Sequence, residues 1–409
     1  MKVTVRDIFW LPVYSCICVP IPGLPGTSLR SVRNLVGTDK GWDLSLKKSF
    51  QEGYSTGSCA AAAARAAAHL LMHKEYLQAV EVELPEGDSI IIPIKCVSMQ
   101  GSTAIAETVK DGGDDPDVTH GLSVIAAVEL TTTSQVIIEG GQGVGRVTKP
   151  GLAVPMGKAA INPVPHRMIT AAVKRELEAG YGARVTISVP EGEKVAHKTM
   201  NPRLGISGGI SILGTTGRVR PMSREAYLQA LIPQLDQALA LGHSTLVLVP
   251  GALGTRRAGE LGLPAEAVIQ CSNFFGDMLD ECGERRIDGI LLLGHLGKMI
   301  KLAGGNFNTH SRVSDARREI LTAHLALAGA DRDLLRAIMQ VNTMEESVDI
   351  VKEHGMEEVF NYLALQCSIK ARQRLAADIK IGSIFYRMDG SIVGYDQESL
   401  EIRRRFTCQ

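Results

Sequence analysis

Three short, continuous apolar segments in the second half of the chain place the strongest constraint on its fold. They cover residues 245–249, 267–271 and 287–293, and helical stretches of ten or more residues separate them. A strand that is apolar throughout is buried on both faces, which is typical of a parallel sheet with helices on either side. We therefore predict a Rossmann-like, three-layer αβα domain with a mostly parallel sheet over residues 221–409.

The loops that follow these three segments predict a ligand site. Ligands of parallel sheets bind at the carboxyl ends of the strands, which lie along one edge of the sheet. Small or polar residues occur at all three strand ends, and this coincidence favours a pocket over ordinary loops. The predicted cofactor-binding residues at this edge are Gly251, Gly254, Asn273, Gly294, His295 and Lys298.

The chain before residue 221 predicts a second domain, of α+β class, over residues 45–220. Glycines and hydroxyl residues at 53–58 precede an alanine-rich stretch at 60–68, which is broken only by Arg65. The hydroxyls can cap a helix, and alanine has the highest helix propensity of any residue. Residues 80–84 and 89–94 predict the two strands of a hairpin. The whole chain is therefore expected to be a two-domain α/β protein.

Residues 1–44 predict an extension that belongs to neither domain. Its apolar stretch at 10–26 contains four prolines, so it is too short and too interrupted to cross a bilayer. It also lacks the uninterrupted apolar core and the cleavage site of a signal peptide. We expect a flexible N-terminal extension and a cytoplasmic protein.

A glycine-rich stretch at 205–217 is the most unusual feature of the first domain. It carries five glycines interleaved with hydroxyl residues, and Lys198, Arg203, Arg218 and Arg220 flank it. Backbone N–H groups that are not covered by side chains, together with cations, suit a ligand with several carboxylates or phosphates. The alternative is a pair of tight turns around the short apolar strand 210–213. We interpret the stretch as a binding surface.

The segment at 135–145 resembles a dinucleotide-binding loop, since an apolar strand and an acid precede three alternating glycines. That motif requires a helix directly after the glycines. Here Pro150 and Gly151 form a turn instead. We therefore reject a Rossmann start at this point and predict a ligand-facing loop, with Arg146 and Lys149 as its cations.

An acidic loop at 110–121 contains four aspartates around a proline, a composition that excludes a helix. Asp114 or Asp115 could act as a carboxylate base, with His120 as a second proton carrier. A solvated loop is the competing interpretation, and the spacing alone favours it. We retain Asp114, Asp115 and His120 as candidate catalytic residues.

Composition excludes several classes of function. Lysine plus arginine and aspartate plus glutamate both number 44, so the chain has no overall field that would attract nucleic acid or an anionic membrane. Aromatic residues make up 4%, which argues against base-stacking platforms. The eight cysteines are scattered without a C-x-x-C pair, so neither a disulfide framework nor a zinc site is indicated. We predict no protein-bound metal.

Several ungapped segments of the chain carry a family resemblance. They are Ala-His-Lys-Thr at 196–199, Asn-Pro-Arg-Leu-Gly-Ile at 201–206 and Gly-Gly-Ile-Ser-Ile-Leu-Gly-Thr-Thr-Gly at 208–217. Together they closely resemble the signature of the cobalt-precorrin-5B C(1)-methyltransferases of anaerobic cobalamin synthesis. The resemblance covers roughly residues 47–330. Ala252 stands where the family usually has asparagine, and Arg257-Ala258 where it has Phe-Ala.

The resemblance implies transfer of a methyl group from S-adenosylmethionine to ring carbon C-1 of cobalt-precorrin-5B, giving cobalt-precorrin-6A. Cobalt would arrive inside the substrate. The methyl donor is expected at the strand ends of the second domain, and the substrate's acetate and propionate groups at the cations of the first. The expected substrate-binding residues are Arg146, Lys149, Lys198, Arg203, Ser211, Thr215, Thr216, Arg218, Asn308 and His310.

Two other classes of function are compatible with the same features. A nicotinamide-dependent oxidoreductase would use the same parallel sheet, and a non-catalytic tetrapyrrole-binding protein would use the same basic, glycine-rich surface. Binding of a dinucleotide but not of S-adenosylhomocysteine would identify the first. A carrier would bind the corrinoid without consuming the methyl donor. The sequence is also compatible with a homo-oligomer.

Overall fold

The computed structural model describes residues 50–375 and 378–407. The predicted extension over residues 1–44 lies outside these ranges. The first elements in chain order are β1 (Gly53–Tyr54), α1 (Thr56–His73), β2 (Ala79–Glu83), β3 (Ser89–Pro93), β4 (Cys96–Gln100), β5 (Thr103–Val109), β6 (Ser123–Thr131), β7 (Val136–Gly140), β8 (Arg146–Val147), α2 (Pro163–Lys174), β9 (Gly182–Ser188), α3 (Gly192–Ala196), β10 (Ile206–Ser207) and β11 (Arg218–Val219).

Helix α1 is the centre of the first part of the chain. Ser55 caps it by accepting the Ser58 N–H at 3.1 Å, and Lys74 ends it in the left-handed conformation with φ 61°. All of its alanines are fully buried against α2 and strands β5 and β6. Methyl side chains allow this close approach because they add little thickness to the helix. The alanine-rich stretch thus forms the predicted helix.

The strands around α1 form a mainly antiparallel sheet in the order β4-β5-β6-β9-β7, in which only the β7–β9 pair is parallel. Strands β2 and β3 form the predicted hairpin, with Val82 opposite Ile90. The short pairs β1–β11 and β8–β10 join segments that are far apart in sequence. They bring the glycine-rich stretch back onto the start of α1.

The remaining elements carry the second sheet. They are α4 (Arg224–Leu231), α5 (Pro233–Ala240), β12 (Thr245–Val249), α6 (Ala252–Glu260), a 3-10 turn (Ala265–Ala267), β13 (Val268–Gln270), α7 (Phe275–Gly283), β14 (Gly289–His295), α8 (Leu296–Ala303), α9 (Arg317–Leu327), α10 (Arg332–Gln340), α11 (Met344–Glu353), α12 (Glu358–Arg374), β15 (Lys380–Tyr386), β16 (Ile392–Tyr395) and α13 (Gln397–Thr407).

The second sheet has the strand order β13-β12-β14-β15-β16, and only the pairing of β15 with β16 is antiparallel. Alternate residues of β12 belong to two separate cores. Leu246 and Leu248 pack with Phe275 of α7, whereas Val247 and Val249 pack with Ala258 of α6. Helices therefore cover both faces. The coarse prediction of a mixed α/β fold is confirmed, and the division near residue 220 stays a prediction.

Pro233 separates α4 from α5, as its position in the sequence predicts, because proline cannot donate the hydrogen bond of a helix interior. Among the helices that the structure describes, none has both the length and the apolar character needed to cross a membrane.

Candidate functional site

The ends of three parallel strands meet at one edge of the second sheet. Strand β12 lies between β13 and β14, and all three run in the same direction. Gly251 follows β12, Asn273 follows β13, and His295 is the last residue of β14. Strand β13 lies on one side of β12, and the next strand along the chain, β14, lies on the other side. Where successive strands change sides in this way, the loops at the strand ends separate and leave a crevice.

Lys298 is the principal cation at this edge. Its Nζ donates to Asn273 Oδ1 at 3.0 Å, and Thr309 Oγ1 donates to the same oxygen at 3.2 Å. Lys298 makes no ion pair within the described ranges, and burial lowers the pKa of its ammonium group. A cation that has lost water without gaining a carboxylate is suited to bind an anionic ligand group.

A second lysine, Lys301, fixes the loop beside Lys298. Its side chain is buried, and its Nζ donates to the carbonyl oxygens of Thr309 at 3.0 Å and Ser314 at 2.8 Å. Burial is the main cause that lowers the pKa of Lys301. The sequence analysis missed this residue, although its position one turn after Lys298 on α8 was a usable signal.

Arg203 joins the two predicted binding regions. Its Nη2 donates to Thr255 Oγ1 at 3.2 Å, and Thr255 in turn donates to the Gly251 carbonyl at 3.4 Å. Arg203 Nη1 is buried and has no hydrogen-bond partner among the described residues, and burial lowers the pKa of the guanidinium. A residue predicted for the substrate thus lies beside a strand end predicted for the cofactor. Sequence reasoning missed Thr255, which no local motif marks.

Packing explains three of the predicted cofactor residues. A Cβ on Gly254 would lie 2.7 Å from Val249 Cβ, and one on Gly294 would lie 2.5 Å from the Met299 sulfur. His295 uses both ring nitrogens, because Nδ1 accepts the Gly297 N–H at 3.1 Å and Nε2 lies 2.6 Å from a Glu345 oxygen. These three residues shape the edge.

Gly251 differs from the other two glycines of this edge, since a Cβ there would meet nothing within 4 Å. It borders open space at the start of α6. The residues that the structure leaves facing the edge are therefore Gly251, Asn273 and Lys298. Ala252, the departure from the family pattern, is the first residue of α6 and is exposed. The other departure, Arg257, lies elsewhere and donates to the Met388 carbonyl at 3.3 Å.

Most glycines of the glycine-rich stretch are needed for chain packing. A Cβ on Gly209 would lie 2.0 Å from the Gly143 carbonyl oxygen, and one on Gly214 would lie 2.2 Å from Ser55 Oγ. Of the five, only Gly208 has open space where a side chain would stand. The tight-turn alternative therefore accounts for most of the stretch. The other glycines blocked in this way are Gly205 and Gly217.

The remaining predicted substrate residues of the first part are mostly engaged by protein groups. Arg218 pairs with Asp88 at 2.6 Å, and Lys149 lies 3.5 Å from Glu266. Lys198 is exposed and makes no ion pair with any described residue. The others form local hydrogen bonds or none: Arg146 to the Gly157 carbonyl, Ser211 to Asn201, Thr216 to the backbone of Arg218, and Thr215 exposed without a side-chain bond.

Asn308 and His310 lie in the loop that contacts the strand edge. Asn308 pairs with Phe274 in an isolated bridge, and its Oδ1 accepts the His310 N–H at 3.1 Å. His310 is exposed, and its Nδ1 accepts the Arg312 N–H at 3.1 Å. The structure thus brings this predicted segment next to Asn273, whose carbonyl accepts the Thr309 N–H at 3.0 Å.

The acidic loop is held by its own aspartates. Asp114 accepts the Gln51 N–H at 2.8 Å, and Asp115 accepts the Met222 N–H at 3.2 Å. His120 Nδ1 accepts the Gly112 N–H at 3.0 Å. Each candidate catalytic residue therefore has a structural task, and its catalytic role stays a prediction. The sequence analysis overlooked the ion pair between Lys110 and Asp117, which is the most buried charge pair of the loop.

A cavity of about 460 Å³ lies apart from the strand edge, between α2 and the β2–β3 hairpin. Arg65, Arg167 and Arg175 lie on its wall, together with Glu81 and Glu83. Its lining combines these charged groups with apolar side chains such as Leu84 and Met168, so it is a second location that could hold a ligand.

Comparison with known proteins identifies the class. Residues 44–221 match the family CbiD, and residues 308–397 match CbiD, C-terminal domain. A solved structure titled cobalamin biosynthesis protein (cbiD) from Archaeoglobus fulgidus is 28% identical and covers 66% of this chain and 84% of that chain. Its TM-score of 0.34 is too low for a comparison of folds. The two family matches place the chain in the CbiD class.

The relatives narrow the class to one family. A protein of Desulfitobacterium hafniense (strain Y51) named cobalt-precorrin-5B C(1)-methyltransferase is 46% identical, over 88% of this chain and 93% of its own. Its namesake from Moorella thermoacetica is 45% identical, over 87% of this chain and 98% of its own. The chain belongs to the cobalt-precorrin-5B C(1)-methyltransferase family, which confirms the resemblance. These names favour a methyltransferase over an oxidoreductase or a carrier.

Proposed function

We propose that this protein transfers the methyl group of S-adenosylmethionine to C-1 of cobalt-precorrin-5B, giving cobalt-precorrin-6A in anaerobic cobalamin biosynthesis. Cobalt belongs to the substrate. Membership of the family supports the reaction, and the strand-edge geometry supports the placement of the donor.

The reaction is an in-line displacement at a sulfonium methyl group. The ring carbon forms a bond to the methyl carbon while the carbon–sulfur bond breaks, and its electron pair returns to sulfur to give S-adenosylhomocysteine. No covalent enzyme intermediate is needed. The protein must align the two reacting carbons and exclude water, and alignment alone can account for much of the rate enhancement. Asp114, Asp115 or His120 would serve as base if a proton must leave.

The methyl donor is assigned to the strand edge of a Rossmann-like domain that spans residues 221–409. Lys298 carries this assignment, because it is a partly buried cation without a carboxylate partner in the described part of the chain. The donor's own carboxylate would complete that pairing. Gly251 leaves room for the ligand, whereas Gly254, Gly294 and His295 hold the strand ends in position.

The corrinoid is assigned to the adjoining surface of the domain at residues 45–220. Arg203 lies at the junction and has one buried guanidinium nitrogen free for a substrate carboxylate. Lys198 is exposed and free of ion pairs among the described residues, so it can reach a second carboxylate. Asn308 and His310 approach from the loop beside Asn273. The ligand would thus touch both domains, with the reacting carbon facing the donor's methyl group.

Replacing Lys298 by Met tests the donor assignment. We expect affinity for S-adenosylhomocysteine to fall by about 10- to 100-fold, because a partly desolvated charged hydrogen bond contributes about 1.5–3 kcal/mol. Asn273→Leu should also weaken binding, since it removes the group that orients Lys298. Calorimetric titration would measure both affinities.

The matched control is Lys380→Met, which removes an exposed lysine of the same sheet that is paired with Glu398 at 3.4 Å. It should bind S-adenosylhomocysteine like the unaltered protein. Unchanged affinity in both Lys298→Met and Asn273→Leu, with melting temperatures also unchanged, would show that the donor binds elsewhere.

A further inference from the structure

Three potential metal ligands converge at the far end of α1. His69 and His73 are four positions apart and so lie on one face of the helix. Glu176, two residues beyond the end of α2, reaches the same point. The distance from Glu176 Oε2 is 2.7 Å to His69 Nδ1 and 3.4 Å to His73 Nε2. One ligand atom from each residue lies within 4.8 Å of the others.

The surroundings orient these groups. Glu176 is only 8% exposed, and its other oxygen accepts a hydrogen bond from Arg65 Nε at 2.7 Å. Its Oε2 is therefore the oxygen that faces both imidazoles. The second ring nitrogen of His69 is buried and has no hydrogen-bond partner among the described residues, and a Glu75 carboxylate oxygen lies 3.9 Å away.

We propose that His69, His73 and Glu176 bind a divalent transition-metal ion of the zinc type. Two histidines and one carboxylate, with a water molecule, form a common tetrahedral ligand set for zinc. With metal–ligand bonds of about 2.0–2.1 Å, neighbouring ligands of a tetrahedron stand roughly 3.3 Å apart. The separation of His73 from Glu176 already fits this value, and the contact of His69 with Glu176 needs to open by about 0.6 Å.

The outer contacts fit a metal site as well. A histidine ligand generally donates its other ring N–H to a carboxylate or carbonyl group. With Nδ1 of His69 on the metal, Nε2 carries the hydrogen, and the exposed Glu75 carboxylate, 3.9 Å away, would have to move closer to accept it. Arg65 holds the Glu176 carboxylate in position by donating to its other oxygen. His73 is about half exposed, which leaves a path for the ion from solvent.

The role of this site is structural, and it is separate from the proposed methyl transfer. The ion would link the last turn of α1 to the end of α2, two helices whose packing forms the centre of the first part of the chain. Because an ion binds only the folded arrangement of the ligands, it stabilises the folded state. The substrate's cobalt plays no part in this site.

Titration of the chelator-treated full chain with zinc chloride tests the proposal. We expect one zinc ion per chain by calorimetry, and a rise in melting temperature of roughly 3 °C or more at saturating zinc. In His73→Gln, zinc affinity should fall at least about tenfold. Even groups that only hydrogen-bond to metal ligands typically contribute 10- to 100-fold to metal affinity, and His73 would be a ligand itself. His73 is exposed enough for this variant to fold.

The matched control is His354→Gln, which removes an exposed histidine whose Nδ1 contacts the Ile350 carbonyl at 2.8 Å. It should bind zinc as the unaltered protein does. Failure of the unaltered protein to bind zinc at one per chain would overturn the proposal and leave an ordinary histidine–glutamate ion pair. Stoichiometric binding that His73→Gln does not weaken would also overturn it, because the ion would then lie at other ligands.

Discussion

Replacing Asp117 by Asn should lower the free energy of unfolding by about 3–5 kcal/mol, because it leaves a buried lysine without its counterion. The Lys110 side chain is 1% exposed, and its Nζ lies 3.0 Å from Asp117 Oδ2. Its other bond is to the Asp111 carbonyl, at 3.2 Å, which carries no charge. Chemical denaturation at pH 7 would measure the loss.

The same pair predicts a pH dependence. Burial acts to raise the pKa of Asp117, but the Lys110 charge and the hydrogen bonds from Thr119 outweigh it and hold the pKa below its ordinary value of 3.8. A lowered carboxyl pKa contributes stability above the unfolded-state pKa, and this stability is lost as the pH falls through the folded-state pKa. The difference between the unaltered protein and Asp117→Asn should therefore be complete near neutral pH and shrink below about pH 4.

Glu353→Gln is the control for loss of an acidic side chain, because Glu353 is exposed and makes no ion pair within the described ranges. It should leave the unfolding curve unchanged. If Asp117→Asn were as stable as this control at neutral pH, the Lys110–Asp117 pair would not be the anchor of the acidic loop.

Replacing Arg203 by Met should weaken corrinoid binding by roughly 10- to 100-fold, with little change in affinity for S-adenosylhomocysteine. The buried Nη1 of Arg203 has no hydrogen-bond partner in the described part of the chain, and a substrate carboxylate would supply one. The methyl donor is assigned to Lys298, so the affinity for S-adenosylhomocysteine should not fall in this variant. Fluorescence or absorbance titration with the corrinoid, beside calorimetry with S-adenosylhomocysteine, would separate the two ligands.

Arg220→Met is a suitable control, because Arg220 flanks the same glycine-rich stretch but is exposed and pairs with Glu52 at 3.2 Å. It should change neither affinity by more than about twofold. A structural role for Arg203 predicts a different result, in which both ligands weaken together and the melting temperature falls. That joint loss would contradict the assignment of Arg203 to the substrate.

The spacing of apolar residues and the position of a helix-breaking proline predicted much of the fold. The apolar segments became adjacent parallel strands, and Pro233 divided a helical region into α4 and α5. These features depend on residues close together in sequence, so local patterns can reveal them. The order of the strands in the first sheet depends on pairings between distant segments, such as β1 with β11, and no local pattern predicts these.

The glycines show why the candidate site was harder to predict. The sequence marks where side chains are absent, but not whether a ligand or the protein itself occupies the space. At Gly209 and Gly214 the occupant is a protein group that lies more than sixty residues away in the chain. The contacts of Arg203 with Thr255 and of His69 with Glu176 also join residues that are far apart in sequence, 52 and 107 positions respectively. Local patterns therefore did not reveal them. The His-x-x-x-His spacing on α1 is a local sequence signal of this cluster, but it does not point to Glu176.

A crystal structure of the protein with bound S-adenosylhomocysteine tests the central claim most directly. We expect the ligand at the carboxyl edge of the second sheet, with its carboxylate within hydrogen-bonding distance of Lys298 and its body passing Gly251 and Asn273. A ligand found instead in the cavity beside Arg65 and Arg167, with the strand edge empty, would contradict the account.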